Sequence, residues 1–362
     1  MRKLRYGIIG CGMMGQEHIR NIRLLDDASV AAIFEPDTQM REAASALAPE
    51  AEMVDSLSAV LNNDAVNALL IASPNHLHLQ QLEQIAAERP LPVLVEKPLY
   101  TDPAQADRVA KLRDTYPAPI WVAMEYRYMP PIAGFLDQVG AATGGIKMLT
   151  IREHRFPFLM KVGDWNRFNR NTGGTLVEKC CHFFDLMCLA MQSEPVRVMA
   201  SAGQSVNHLD EVYDGSVSDI WDNGYVIVDF ENGSRAMLEL CMFAEGARYQ
   251  EEISAVGADG KIEVFVPGPG RFWPENLGEA PTAKLVVSPR NPKGPIAKSI
   301  DVPAELLKAG DHNGATFYQH QRFQAVVLGH GQPDVTISDG ARAVAIGLAA
   351  QQSARIGQAI LL

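Results

Sequence analysis

The stretch RYGIIGCGMMG, residues 5–15, decides the fold of the N-terminal part of the chain. Its first five residues form a short apolar run, as expected of a strand that is buried on both faces. Gly10-Cys11-Gly12-Met13-Met14-Gly15 follows at once and fits G-x-G-x-x-G where a helical stretch opens. There Gly10 permits a tight turn, Gly12 lets the backbone approach a pyrophosphate, and Gly15 lets helix and strand pack closely. Because the helix N-terminus faces the anion, the segment predicts a dinucleotide site.

Short apolar runs alternate with helical stretches as far as residue 125. The predicted strands are Arg5–Ile9, Val30–Phe34, Ala68–Ala72, Val93–Val95 and Ile120–Ala123. The predicted helices are Gln16–Leu25, Thr38–Leu47, His76–Glu88 and Pro103–Tyr116, the last with Thr101 as its cap. This alternation predicts a doubly wound α/β domain over residues 1–125.

The pattern changes in residues 126–362, where strands follow one another more closely. The predicted strands are Ile146–Arg152, Val196–Ala202, Tyr225–Phe230, Ala236–Phe243, Glu251–Gly257 and Lys261–Phe265. Asn232-Gly233 and Asp259-Gly260 predict hairpin turns, so we expect a large, mainly antiparallel sheet. Thr175–Met191 is expected to be one helix, Pro267–Pro303 an irregular excursion, and Ser338–Gln358 a helix capped by Ser338.

Composition excludes several classes of protein. Lys and Arg number 32 against 43 Asp and Glu, a net charge of −11 that disfavours nucleic-acid binding. The five cysteines include no Cys-x-x-Cys pair, so we expect reduced thiols and neither a disulfide framework nor a metal site. Because we find neither a signal-like N-terminus nor an apolar run of about 18 residues, we expect a cytoplasmic protein without a membrane span.

Polar residues that follow the predicted strands are candidates for cofactor binding. Glu35 ends the second apolar run, where a carboxylate can bind ribose hydroxyls and repel a 2′-phosphate. The sequence therefore favours NAD over NADP, although a solvated loop acid would give the same pattern. Ser73, Asn75 and His78 follow the run that ends at Ala72, at the sheet edge that faces a dinucleotide. A metal site at His76 and His78 is a weaker interpretation than the start of a helix.

Two further segments carry candidates for catalysis. Glu96-Lys97-Pro98 follows a buried strand, and an unpaired charge there is costly, so Glu96 and Lys97 require a function. On a helix, Glu178 and His182 lie on one face four residues apart and could together handle a proton. A surface ion pair is an equally good interpretation of that segment taken alone.

Taken together, the motifs resemble the glucose–fructose oxidoreductase / inositol 2-dehydrogenase (Gfo/Idh/MocA) family. The glycine fingerprint, Glu-Lys-Pro, Tyr126-Arg127-Tyr128 before Pro130, and the segment from Gly173 to Asp185 occur in the family's order. The resemblance covers nearly the whole chain. It implies a Rossmann domain, followed by an α/β domain whose open sheet often forms the subunit interface.

The resemblance also implies an activity: NAD(P)-dependent oxidation of a secondary hydroxyl of a sugar or cyclitol, or the reverse reaction. Lys97 matches the lysine that orients the hydroxyl, and His182 matches the histidine that transfers the proton. Glu178 stands where many members carry Asp. The residues that the resemblance places in the cofactor and substrate pocket, besides those named above, are Arg127, Trp165 and Arg167.

Three other points remain open at the level of sequence. A non-catalytic NAD- or sugar-sensing protein and an NAD-dependent glycosidase are alternatives on the same fold. Residues 208–222 carry acids that could bind a cation or a polyol, or could form a solvated face. Apolar residues on both faces of the second sheet, together with the resemblance, predict a homodimer or homotetramer.

Overall fold

A computed structural model describes residues 3–362, so that Met1 and Arg2 lie outside the described residues. Contacts divide the chain into two compact units. The first comprises the residues up to Glu125 together with 160–173 and 316–344, and the second comprises 126–159, 174–315 and 345–362. The N-terminal segment of the first unit ends where the sequence pattern changes, and two later segments belong to it as well.

The first unit is built on a parallel sheet. Its strands are β1 (Leu4–Ile9), β2 (Ala28–Phe34), β3 (Glu52–Val54), β4 (Ala68–Ile71), β5 (Val93–Val95) and β6 (Ile120–Val122). The helices between them are α1 (Met13–Ile22), α2 (Thr38–Leu47), α3 (Leu57–Leu61), α4 (His78–Glu88) and α5 (Ala106–Thr115). The strand order is β3-β2-β1-β4-β5-β6, so the direction of winding reverses between β1 and β4. This confirms the doubly wound domain, and β4, β5 and β6 are buried throughout, as their apolar runs predict.

The later elements also have defined bounds. The helices are α6 (Pro130–Thr143), α7 (Asn169–Thr172), α8 (Thr175–Glu178), α9 (Cys181–Met191), α10 (Ala304–Ala309), α11 (Ala315–Val327) and α12 (Ile337–Ile356). The strands are β7 (Ile146–His154), β8 (Pro195–Gly203), β9 (Val212–Tyr213), β10 (Ser216–Val217), β11 (Asn223–Phe230), β12 (Arg235–Cys241), β13 (Glu251–Gly257), β14 (Gly260–Val266), β15 (Ala283–Pro289), β16 (Ile296–Ile300) and β17 (Ile360–Leu361).

The second unit contains a nine-stranded sheet in the order β16-β15-β14-β13-β7-β12-β11-β8-β17. Every neighbouring pair is antiparallel except β12 with β7, which confirms the mainly antiparallel sheet. The turns at Asn232-Gly233 and Asp259-Gly260 join antiparallel partners, as predicted. Along β11 and β12 buried residues alternate with more exposed ones, so one face of the sheet carries the core and the other stays open.

Four local predictions are wrong. Thr175–Met191 is two helices, because the chain makes a turn at Lys179-Cys180. Residues 267–303 contain β15 and β16 rather than an irregular excursion. The turn before α5 is capped by Asp102, which forms a capping box with Gln105, rather than by Thr101. Ser338 lies inside α12, and the Thr336 hydroxyl accepts the Asp339 amide at the start of that helix.

Candidate functional site: the edge of the parallel sheet and a buried aromatic cluster

The glycine loop between β1 and α1 packs closely against its neighbours at two of its three glycines. Gly10 has a φ of +88°, and a Cβ there would lie 2.6 Å from the Ser73 amide nitrogen. A Cβ on Gly15 would lie 2.4 Å from the Gly10 carbonyl oxygen, so the close packing of helix and strand requires glycine. Gly12 differs, since a Cβ there would meet no described atom within 4 Å. The backbone at Gly12 is therefore open to a ligand.

The first turn of α1 is suited to an anion. It contains no acidic residue, and no side chain in the described chain caps it. Helix N-termini have unsatisfied amides and a partial positive charge, which together bind phosphate groups. Cys11 lies in the loop before this helix and is buried, whereas Met13 and Met14 are the first two residues of the helix and Met13 is 40% exposed.

Glu35 follows β2 at the same edge of the sheet and is 7% exposed. Its Oε2 accepts the Cys11 amide at 2.5 Å, and its Oε1 accepts the Asp37 amide at 2.9 Å. Asp37 caps α2 by accepting the Met40 amide. The carboxylate is thus fixed by backbone groups of the glycine loop and of its own turn. Such a carboxylate can bind a ribose diol and repels a 2′-phosphate.

The residues after β4 lie next to the glycine loop, because β4 pairs with β1. Ser73 donates its hydroxyl to Gln81 Oε1 at 2.6 Å. Asn75 is 7% exposed, and its Nδ2 has no hydrogen-bond partner among the described residues. A buried amide without a partner is costly, so this position suits a ligand acceptor. His76 and His78 begin helical turns, and the His78 ring nitrogens lie 2.8 Å from Pro98 O and 2.9 Å from Ser73 O.

The turn after β5 carries Glu96, Lys97 and Pro98. Glu96 is 4% exposed, and its Oε1 lies 2.8 Å from His18 Nε2. Its Oε2 accepts the Lys97 amide at 3.3 Å. Burial raises the pKa of the Glu96 carboxyl, but the His18 hydrogen bond and the charges of His18, Lys97 and His78 bring that pKa below its usual value. Glu96 is therefore a buried carboxylate that shapes the turn which carries Lys97.

Trp165 and Arg167 also belong to the first unit. The Trp165 ring meets His76 edge-on with the ring centroids 6.3 Å apart, and Lys161 Nζ lies 5.8 Å from the Trp165 ring centroid. Arg167 is 2% exposed. The structure thus brings Trp165 to the residues after β4.

In the second unit, His182 lies in a buried aromatic cluster. It is 2% exposed, and its ring stacks on Tyr126 with the centroids 4.1 Å apart and the planes 8° from parallel. Glu178, at the end of α8, is 5% exposed. The predicted single helix with Glu178 and His182 on one face is wrong, and because both side chains are buried a surface ion pair is excluded.

Arg127 is engaged by a partner that the sequence analysis did not identify. Its guanidinium donates to both Asp185 carboxylate oxygens, at 2.6 and 2.5 Å, and both side chains are nearly buried. A two-point Arg–carboxylate bond fixes both groups. This bond joins the turn at Glu125–Tyr128 to α9, which also carries His182.

A buried charge cluster next to His182 was not predicted from the sequence. Lys179 donates to the Tyr126 hydroxyl at 2.6 Å and lies 2.8 Å from Glu153 Oε1. Glu251 stands opposite Glu153 across β13 and β7. Burial and the Glu153 charge raise the pKa of Glu251 to about 7. The signal was available, since Glu178-Lys179 interrupts an otherwise apolar run of residues.

The acidic loop of residues 208–222 is partly structural. Asp222 is 2% exposed, and its carboxylate accepts the amides of Ser205, Val206 and Asn207. Glu211 lies between His208 Nδ1, at 2.9 Å, and the Tyr213 hydroxyl, at 2.7 Å. These contacts shape the loop from within.

Two family models match this chain in sequence. Residues 4–124 match the model "Oxidoreductase family, NAD-binding Rossmann fold", and residues 142–362 match "Oxidoreductase family, C-terminal alpha/beta domain", both of the Gfo/Idh/MocA family. The chain belongs to this oxidoreductase family. Its N-terminal domain is an NAD-binding Rossmann domain.

Individual relatives agree with this assignment. The chain is 28% identical over 279 residues to an inositol 2-dehydrogenase of Corynebacterium glutamicum, covering 75% of this chain and 77% of that protein. It is 24% identical to a myo-inositol 2-dehydrogenase of Thermotoga maritima over 97% of this chain and 96% of that protein. The crystal structure of GenD2 from gentamicin A biosynthesis, in complex with NAD, shares the fold at a TM-score of 0.78 and 18% identity, with coverage of 100% and 97%.

Among the described residues, no helix is both long enough and apolar enough to cross a membrane.

Proposed function

We propose that this protein is an NAD-dependent dehydrogenase that oxidises a secondary hydroxyl of an inositol-like cyclitol or a related sugar, or reduces the corresponding ketone. The observation that carries the proposal is His182, a buried imidazole held against Tyr126 in a chain of this oxidoreductase family. The names of the inositol dehydrogenases above support the cyclitol as substrate class.

The cofactor would be held by residues of the first unit. The amides at the start of α1 and the open backbone at Gly12 suit the pyrophosphate, Glu35 suits the ribose diol, and Asn75 suits a further polar group of the cofactor. Bound NAD supplies the hydride acceptor. Glu35 also supports the choice of NAD over NADP.

The proposed catalytic residues are Lys97, His182 and Glu178. His182 accepts the hydroxyl proton of the substrate as a general base, and stacking on Tyr126 limits rotation of its ring. The Lys97 ammonium stabilises the negative charge that develops on the substrate oxygen. Glu178 orients and supports the imidazole, while Arg127, Trp165 and Arg167 contribute to the substrate pocket. His78, Ser73 and Glu96 support the cofactor edge.

A spectrophotometric screen at 340 nm tests the proposal directly. NAD and NADP are each offered with inositols, aldoses and sugar acids, and we expect NADH to form with NAD and at least one cyclitol. Tight NAD binding with no turnover of any polyol would point to a sensing protein. Cleavage of a nitrophenyl glycoside without net NADH would point to a glycosidase.

We also propose that the protein is a cytoplasmic homodimer or homotetramer that associates through the open face of its nine-stranded sheet. Apolar side chains stand on that face, with Tyr225 56%, Ile227 38% and Met148 58% exposed. Beside them Arg152 pairs with Glu239 at 3.0 Å and with Glu252 at 3.3 Å. A mixed apolar and charged face suits a subunit interface. All five cysteines are free thiols, in keeping with a reducing compartment.

A further inference from the structure

Four buried side chains form a continuous hydrogen-bonded chain inside the first unit. Tyr6 Oη lies 2.9 Å from His320 Nδ1, His320 Nε2 lies 2.8 Å from His18 Nδ1, and His18 Nε2 lies 2.8 Å from Glu96 Oε1. Tyr6, His18 and His320 are 0% exposed. The four residues come from β1, α11, α1 and the turn after β5, so the chain links four separate elements.

Burying so many polar groups is costly unless each finds a partner, and apolar residues would fill the same space without that requirement. The hydrogen-bonded chain ends at the carboxylate of Glu96. The other oxygen of that carboxylate accepts the Lys97 amide. The hydrogen-bonded chain therefore reaches the backbone of Lys97 through a single residue, Glu96.

The direction of the hydrogen bonds follows from the carboxylate. An ionised Glu96 only accepts, so His18 Nε2 carries a hydrogen. If His18 is neutral, His320 donates to His18 and Tyr6 donates to His320. If His18 is protonated, it donates to His320 and His320 donates to Tyr6. Both arrangements leave His320 neutral, and burial and the His18 charge hold the pKa of His320 well below its usual value. In either arrangement Glu96 keeps its donor.

We propose that His18, supported by His320 and Tyr6, is a positioning residue that holds Glu96 as a carboxylate and so fixes the turn that carries Lys97. This inference rests on the proposed function of Lys97, which touches the substrate while His18 acts through Glu96. The charged or titratable groups that act on Glu96 are His18 from α1, His78 from α4 and the adjacent Lys97.

A matched pair of amide substitutions at His18 separates positioning from packing. In His18→Gln the side-chain amide can take the place of Nε2 and still donate to Glu96, whereas His18→Asn is too short to reach it. Without its donor Glu96 would remain buried, and its pKa would rise. We expect the acid limb of the pH profile of His18→Asn to move up by about one unit, so that kcat falls about tenfold at a given pH on that limb. His18→Gln should stay within about twofold of the unmodified protein, with the limb unmoved.

A second measurement does not depend on turnover. If His18→Asn raises the pKa of folded Glu96, then the melting temperature of that variant should fall relative to His18→Gln as the pH rises from about 4 to 6. Tyr6→Phe, which removes only the far end of the chain, should show the same trend with a smaller amplitude. These comparisons need neither NAD nor a substrate, so they remain valid if the proposed dehydrogenase activity fails in the 340 nm screen.

Two results would overturn the inference. One is an equal loss of kcat in the Asn and Gln variants with the same pH profile, which is the behaviour of a packing residue. The other is a difference in melting temperature between the two variants that does not change with pH. Failure of the unmodified protein to oxidise any polyol would instead overturn the proposed function and leave the result from the melting curves standing.

Discussion

The substitution Glu251→Gln should change how the stability of the protein depends on pH. Glu251 is fully buried on β13, opposite Glu153 on β7, and its Oε2 has no hydrogen-bond partner among the described residues. Lys179 lies 2.8 Å from Glu153, so this lysine is already paired with the other acid. Burial and then the Glu153 charge raise the pKa of Glu251 to about 7, and the Lys179 charge opposes that rise. Glutamine resembles the protonated acid in shape and charge.

The sign and the size follow from proton linkage. The pKa of Glu251 rises from 4.5 in the unfolded chain to about 7 in the folded protein, so the folded state binds a proton more tightly. Its contribution to stability is present below pH 4.5 and is lost as the pH rises to about 7. At about 1.4 kcal/mol per pKa unit the loss is on the order of 3 kcal/mol. At about 2–4 °C per kcal/mol this corresponds to roughly 6–12 °C in melting temperature.

Thermal unfolding followed by circular dichroism from pH 4.5 to 8.5 measures this effect. The difference in melting temperature between Glu251→Gln and the unmodified protein should grow in favour of the variant between pH 4.5 and 7, and level off above pH 7. Glu252→Gln is the matched control, because the neighbouring residue lies on the open face with only a 3.3 Å ion pair to Arg152, worth about 0–1 kcal/mol. A difference for Glu251→Gln that is independent of pH would refute the reasoning.

Three further predictions concern the proposed function. Glu35→Ser should lower the ratio of the NADP dissociation constant to the NAD dissociation constant by at least about tenfold, which fluorescence titration measures. Equal affinities for the two cofactors in the unmodified protein would contradict the assignment of Glu35. Lys97→Ala should lower kcat by about 10²–10³ with little effect on NAD binding, and His182→Ala should flatten the pH profile between about 6 and 8. The double variant should be little worse than the poorer single one, whereas additive losses would separate their roles. Ile227→Glu should reduce the particle mass, measured by light scattering, towards the 39.5 kDa of one chain. The control Leu277→Glu, at an exposed position outside the sheet, should leave that mass unchanged. A monomeric unmodified protein would refute the proposed interface.

The apolar elements of the fold could be predicted from sequence because their burial is visible in residue type. The strands β4, β5 and β6 are short apolar runs, and the structure places each within one or two residues of its expected bounds. Glu52–Val54 was missed because a three-residue edge strand has no such run. The prolines and glycines around β15 suggested an irregular segment, although the strand itself is apolar at Ala283 and Leu285.

The candidate site also has a part that could be predicted from the sequence and a part that could not. Its glycines, Glu35 and Lys97 could be found because each follows a recognisable strand, and the order of the motifs carries the family. The polar pairs around the site could not be found from the sequence. The Asp185 carboxylate lies 58 residues from Arg127, and Glu153 and Glu251 become neighbours only through the register of β7 and β13. Local patterns contain no information about such long-range pairs.

The helix α11 shows the physical reason most clearly. It was missed because the first half of its buried face is polar, with Thr316, Gln319 and His320 all 0–1% exposed, and the buried Phe323 and Val326 come only in its second half. Its first half therefore lacks the apolar periodicity by which a buried helix is found. An apolar side chain can be buried against any apolar neighbour and does not need a specific partner. Polar burial needs a specific partner, and for His320 the partners are Tyr6 and His18, 314 and 302 residues away. A polar helix that is nevertheless buried therefore indicates a hydrogen-bonded network, and here that network leads through His18 to Glu96 and the backbone of Lys97.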